Sequence, residues 1–236
     1  MRKKMTSQEA IAEAKRCLNC TVPSCRLGCP IDNNIPEFLH ALSLGNMGDA
    51  FASLAKDNAL PAICGRLCAH EKQCEQKCIL SKDGSPLNIS ALETFIAEFA
   101  YDHGLTPIDK STGFAGKVAV IGSGPTGLTV AGELAKKDFD VTIYEGQHEL
   151  GGVLLYGIPE FRLDKNIVHK EINNLVNYGV KYVTGALIGK DLTLDDLFAN
   201  GYQAVFIGIG SALPMTLDIP GHDLTGILSA TYFYAW

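Results

Sequence analysis

Eight cysteines crowd between Cys17 and Cys78, and none follows in the rest of the 236-residue chain. They fall into two groups. CLNCTVPSCRLGCP at 17–30 sets Cys17, Cys20, Cys25 and Cys29 at the spacing C-x2-C-x4-C-x3-C-P. ICGRLCAHEKQCEQKC at 63–78 sets Cys64, Cys68, Cys74 and Cys78 at C-x3-C-x5-C-x3-C. Thiolates this close in sequence converge at little cost in loop closure. Four thiolates hold a 4Fe–4S cluster, and in two-cluster ferredoxins the last cysteine of a Cys-Pro-terminated run serves the other cluster. The same crossing is expected here. Two other chemistries use these residues. Structural zinc takes four thiolates, or two thiolates and two imidazoles, in closely spaced pairs. Disulfides need an oxidising compartment. The N-terminal MRKKMTSQEAIAEAKRC is basic but has no apolar segment after it, so it is not a secretory signal. That points to the cytoplasm, where clustered cysteines bind metal more often than they pair.

A second chemical motif lies downstream. Gly122, Ser123, Gly124, Pro125, Thr126 and Gly127 form GxGxxG between the apolar run KVAVIG at 117–122 and a helical pattern at 126–137. In that context Gly122 makes the tight turn and Gly124 lets the backbone approach a pyrophosphate. Gly127, with Ala131 a turn later, lets helix and strand pack closely. The helix N-terminus then offers free N–H groups to the phosphates. Glu145 ends the next apolar run, 18 residues after Gly127. There a carboxylate accepts hydrogen bonds from a ribose and disfavours a 2′-phosphate. The motif alone leaves FAD and NAD both open, and a glycine turn without a ligand is the competing reading. A flavin beside the cysteines strengthens iron–sulfur over zinc, because a redox neighbour favours a redox metal.

The elements that must position these residues follow from pattern. Thr6 and Glu9 suggest a capping box opening a helix to about Arg16. Helices are expected from Pro36 to Leu44 and from Gly48 to Asp57. Asn88 reads as the N-cap of a helix to about Tyr101, with Ile89, Leu92, Phe95, Ile96 and Phe99 at helical spacing. Thr106 to Gly116 reads as a linker. Beyond it, strands at 117–122, 140–145, 182–184 and 204–210 alternate with helices at 126–137 and 164–178. That alternation predicts a parallel α/β sheet. The expected fold is an α-helical two-cluster iron–sulfur domain over 1–110, followed by an incomplete α/β Rossmann-type FAD-binding domain over 111–236. The chain has a net charge of −6, no basic stripe and no apolar run of about 18 residues. Nucleic acid and membrane are therefore not expected partners.

With both cysteine groups, KVAVIGSGPTGL at 117–128, EGQHELGG at 145–152, GVLLYGIPEFRL at 152–163 and AVFIGIG at 204–210, the chain resembles a known family. It is similar to the small subunit of NADPH-dependent glutamate synthase and its relatives. These include the N-terminal half of dihydropyrimidine dehydrogenase and the large subunit of bifurcating NADH-dependent ferredoxin:NADP oxidoreductase. The resemblance implies FAD in the Rossmann site, with Glu145 on the adenosine ribose. Gly151, Gly152 and Val153 would pass close to the flavin, and Arg162 and the backbone near Ile188 would contact the cofactor. It implies that Cys17, Cys20, Cys25 and Cys78 hold one 4Fe–4S cluster. Cys29, Cys68 and Cys74 would hold the other, with Glu93 as a non-cysteine fourth ligand and Cys64 spare. It also implies electron flow from NADPH through FAD and the clusters to a large subunit. The family carries NADPH on a second Rossmann domain. This chain has a single GxGxxG, so that site is expected in a region not present here. A dihydropyrimidine dehydrogenase subunit and a non-catalytic electron-transfer module are the alternatives. Two residues depart from the family pattern: Ala69 replaces a proline after Cys68, and Asp138 replaces a glycine between helix and strand.

Overall fold

The computed structural model describes residues 4–105, 113–211, 215, 217–230 and 233. The chain divides into two units, Met1–Ser111 with His169–Tyr178 and Thr112–Val168 with Gly179–Trp236. The expected boundary at 110/111 and linker residues 106–112 lie outside the described residues, as does most of the C-terminal ATYFYAW.

The first unit is helical. Helix α1 (Ser7–Ala14) opens with the Thr6 capping box. Thr6 Oγ1 accepts the Glu9 N–H at 3.2 Å, and Glu9 Oε2 accepts the Thr6 N–H at 2.8 Å. Two free N–H groups are thereby satisfied reciprocally. Helix α2 (Ser24–Leu27) is one turn inside the first cysteine group. Helices α3 (Ile35–Ser43) and α4 (Met47–Lys56) form an antiparallel pair across Gly45, whose φ of +79° suits a residue without Cβ. Helix α5 (Pro61–Leu67) leads into Cys68, and the one-turn α6 (Cys74–Lys77) ends at Cys78. Helix α7 (Ile89–Asp102) starts at the Asn88 cap, whose side chain accepts the Ala91 N–H at 3.2 Å. Its buried face carries Leu92, Glu93, Ile96 and Ala100. Phe38, Leu39, Leu42, Phe51, Leu54 and Leu92 form the core, with Cys74 and Cys78 at its edge.

The second unit is built on a four-stranded parallel sheet of order β3-β2-β1-β4. β1 (Gly116–Ile121) pairs with β2 (Phe139–Glu145) in the register Val118↔Val141 and with β4 (Ala204–Ile207) in the register Val120↔Phe206. β3 (Lys181–Thr184) adds to the outer edge of β2. Val118, Ala119, Val120, Val141 and Ile143 are buried. The nearly continuous apolar runs are thus those of a parallel sheet covered on both faces. Helix α8 (Pro125–Ala135) crosses from β1 to β2. Asp138, in the turn after it, has a φ of +64°, the left-handed conformation that a glycine would adopt without strain. The short α9 (Val153–Tyr156) follows the Gly151–Gly152 turn, and α11 (Leu194–Ala199) precedes β4. Helix α10 (Lys165–Asn177) begins in this unit, and its residues from His169 onward belong to the first.

Candidate functional site

Two cavities in the helical unit collect the cysteines. The first is lined by Cys17, Cys20, Cys25 and Cys78, with Leu18, Leu39, Leu80 and Leu87 among its apolar walls. Three of its thiols come from the first cysteine group and the fourth from the second. Burial pushes Cys25 up to about 11 and raises Cys17, and neighbouring thiolates add to both shifts. Four thiolates converging on one cavity need a compensating positive centre, and metal binding supplies one by displacing the protons. All eight cysteines are free thiols. Among the described residues, no three His, Cys, Asp or Glu side chains converge closely enough to hold a single metal ion. Thiols arrayed around a cavity are what an iron–sulfur cluster uses, each binding its own iron.

The second cavity is lined by Cys29, Cys68 and Cys74, with Cys64, Glu93, His70 and Asn58. Cys29 comes from the first group, so the two groups cross. Glu93 is buried on α7 yet fully engaged. Asn58 Nδ2 donates to its Oε1 at 2.8 Å, and His70 Nε2 lies 3.2 Å from its Oε2. Burial raises the carboxyl pKa. Burial opposes charge on His70, but Glu93 outweighs it and holds the imidazole pKa up. A hydrogen bond from the Cys64 thiol draws Cys68 down to about 7, while the same bond and burial push Cys64 far up. Burial and the Glu93 charge raise Cys74. Asn33 Oδ1, also lining the cavity, is a buried acceptor without a partner. Four thiols, one carboxylate and an unsatisfied acceptor form a donor set that fits an iron–sulfur cluster.

The glycine loop sits at the C-terminal ends of β1 and β2. Gly122 has a φ of +95°. A Cβ on Gly127 would fall 1.9 Å from Gly122 O, so helix and loop touch directly there. A Cβ on Gly124 would meet nothing within 4 Å. That open backbone is the surface a pyrophosphate needs. Gly124 is the N-cap of helix α8, with Pro125 in the first turn and no side-chain cap, leaving first-turn N–H groups for an anion. Thr126 is exposed beside them. Ser123 points inward. Its N–H and Oγ both donate to Glu145 Oε2, at 2.9 and 2.5 Å, and its Oγ accepts the Gly151 N–H at 3.0 Å. The Gln147 N–H holds the other Glu145 oxygen at 2.9 Å. A Cβ on Gly152, whose φ is +51°, would lie 2.8 Å from Gly124 Cα. The second glycine pair therefore packs onto the first loop, with Val153 exposed beyond it. Arg162 is exposed in the turn before α10. Ile188 bridges to Leu192 and packs against the small core of Ala119, Ile121, Leu197 and Tyr202. The cradle fits a dinucleotide phosphate, and when bound a flavin would supply the step between two-electron and one-electron chemistry.

Residues 116–233 match the family described as pyridine nucleotide-disulphide oxidoreductase, half of the chain. The chain belongs to this family. Residues 1–105 of this oxidoreductase match a second family, described as dihydropyrimidine dehydrogenase domain II, 4Fe–4S cluster. The glutamate synthase (NADPH) small chain of Halomonas elongata is 36% identical over 94% of this chain and 47% of its own length. That of Azospirillum brasilense is 34% identical over 96% of this chain and 47% of its own. Glutamate synthase (NADH) of Saccharomyces cerevisiae is 37% identical over 94% of this chain and 10% of its own. The chain thus spans about half the length of the first two relatives. Mycobacterium tuberculosis FprA in complex with NADPH overlays on 51% of this chain and 28% of its own, at 24% identity and a TM-score of 0.47. Among the described residues of this oxidoreductase, no helix is long and apolar enough to cross a membrane.

Three residues of the oxidoreductase escaped the sequence reading. His70 belongs to neither motif, although its place between Cys68 and Cys74 is a usable signal. Asn58 carried no local mark. Glu171 on α10 is buried and accepts the Ala62 and Ile63 N–H groups at 2.9 and 3.3 Å, and also the Tyr101 hydroxyl. It caps α5, the helix that leads into Cys68, from more than 100 residues away.

Proposed function

We propose that the chain is an electron-transfer oxidoreductase that passes electrons from NADPH, through FAD and two 4Fe–4S clusters, to a partner of the glutamate synthase large-subunit type. The observation that carries this reading is the crossed sorting of cysteines. Cys17, Cys20, Cys25 and Cys78 line one cavity, and Cys29, Cys68 and Cys74 line the other with Glu93. FAD would lie on the Gly122–Gly127 loop with its ribose toward Glu145, and the turn at Gly151, Gly152 and Val153 beside it. Arg162 and the backbone at Ile188 are further contacts in this reading. Ser123 serves by holding Glu145 and Gly151 in place rather than by touching the ligand. The NADPH site belongs to a region outside this chain. The match of residues 1–105 to a dihydropyrimidine dehydrogenase domain supports a second reading, in which the partner reduces a pyrimidine.

The test is electron paramagnetic resonance on dithionite-reduced protein carrying single substitutions. Cys78→Ser should remove the same signal as Cys17→Ser, although the two residues lie in different sequence groups. Cys29→Ser should remove the other signal, the one lost in Cys68→Ser. Pairing by sequence group, with Cys29→Ser matching Cys17→Ser, would refute the crossed assignment.

A further inference from the structure

The turn that closes on the glycine loop is tied down at both ends, by different groups. At its start the Gly151 N–H donates to Ser123 Oγ at 3.0 Å, and a Cβ on Gly152 would lie 2.8 Å from Gly124 Cα. At its far end stands Lys165, whose ammonium donates to Leu154 O at 2.9 Å and also to Ile158 O. We infer that Lys165 is a positioning residue for the flavin, its ammonium holding the 151–158 turn against the 122–127 loop. The inference rests on the proposal that FAD lies on that loop with Val153 beside it.

The backbone of the turn explains the need for a cation. Helix α9 is one turn long, Val153–Tyr156. The Gly157 and Ile158 N–H groups both reach Val153 O, at 3.0 and 2.9 Å, so neither serves Leu154 O. Leu154 is buried, and a buried carbonyl without a donor costs free energy. A lysine ammonium is compact and carries three donors, so one group can take both carbonyls. It also sits at the C-terminal end of α9, where the carbonyls favour positive charge. Helix α10 gives no reason for the lysine. Lys165 is its first residue, where a cation opposes the helix dipole. The Lys165 N–H is itself held by Glu160 Oε2 at 3.3 Å. Main chain and side chain of one residue thus fix the end of the turn. Without the ammonium the Ser123 tie remains, but the far end is free to swing and to carry the exposed Val153 with it.

Fluorescence titration of the full chain with FAD tests this, together with the visible spectrum of the bound flavin and a melting curve. Lys165→Met should weaken FAD binding by about tenfold, the weight of one charge-assisted hydrogen bond. It should also blur the resolved shoulders of the flavin band, as water enters beside the ring. Lys165→Arg keeps charge and donors and should retain most of the affinity and the shoulders. Lys165→Gln loses the charge but keeps a donor, and should fall between. Wild-type affinity and spectrum in Lys165→Met, even with a lowered melting point, would make the lysine structural only and overturn the inference. A loss in Lys165→Gln equal to that in Lys165→Met would overturn it too, because long-range charge alone would then explain both. If Lys165→Met does not fold, Lys165→Gln decides, and wild-type behaviour there overturns the inference. Wild-type protein that binds no FAD would instead remove the underlying reading.

Discussion

Gly124 and Gly127 sit three residues apart in one motif, yet the structure gives them different duties. A Cβ at 124 enters open space, whereas one at 127 collides with Gly122 O. Gly124→Val should therefore leave the thermal midpoint nearly unchanged and abolish FAD binding, because only the ligand needs that space. Gly127→Val should lower the midpoint by several degrees, since the helix must leave the loop. Fluorescence titration with FAD and a melting curve on each variant separate the two effects. Equal FAD affinity in Gly124→Val and wild type would contradict the assignment. At this scale the sequence reading was strong where a residue's duty is local. The Gly122 turn, the close helix approach at Gly127 and the Thr6 capping box all follow from neighbours in the chain. It was weak where the duty depends on distant partners. Ser123 reads as a loop residue, and only the fold reveals that its hydroxyl ties Glu145 to Gly151.

Among the elements, α5 is the one whose placement matters most, because Cys64 and Cys68 lie on and just beyond it. Its N-terminus is capped by Glu171 from α10, which also takes the Tyr101 hydroxyl. Burial raises the Glu171 pKa from 4.5 to about 7, against hydrogen bonds that pull it down. A carboxyl with a raised folded pKa favours folding most when protonated. Its contribution is complete below about 4.5 and is lost as pH climbs through about 7. From pH 5 to pH 8 the wild type should therefore lose roughly 2 to 3 kcal/mol of stability relative to Glu171→Gln. Urea denaturation at the two pH values measures this, and the same pH dependence in both proteins would contradict it. The α5 helix was not read from sequence. Seven residues opened by a proline, containing a glycine and flanked by cysteines carry little helical periodicity. The cap that holds them comes from another part of the chain. Helix α7, by contrast, announces itself through Asn88 and a full apolar stripe.

For the whole molecule, the cofactor inventory sets the activity. The described residues include one GxGxxG loop, and in the proposed reading Glu145 at the end of β2 would oppose the 2′-phosphate of NADPH. Hydride transfer requires the nicotinamide held against its acceptor in a near-attack geometry. The isolated chain should accordingly show little NADPH-dependent dye reduction, while dithionite still reduces it. Steady NADPH:dye turnover by the chain alone would mean that the Rossmann unit holds the nicotinamide cofactor instead.

In the proposed reading, two interleaved cysteine sets hold two four-iron clusters. Metal and acid-labile sulfide analysis of the anaerobically purified chain tests it most directly. About eight irons and about eight sulfides per chain are expected, with zinc only in trace. Stoichiometric zinc with neither iron nor sulfide would contradict it.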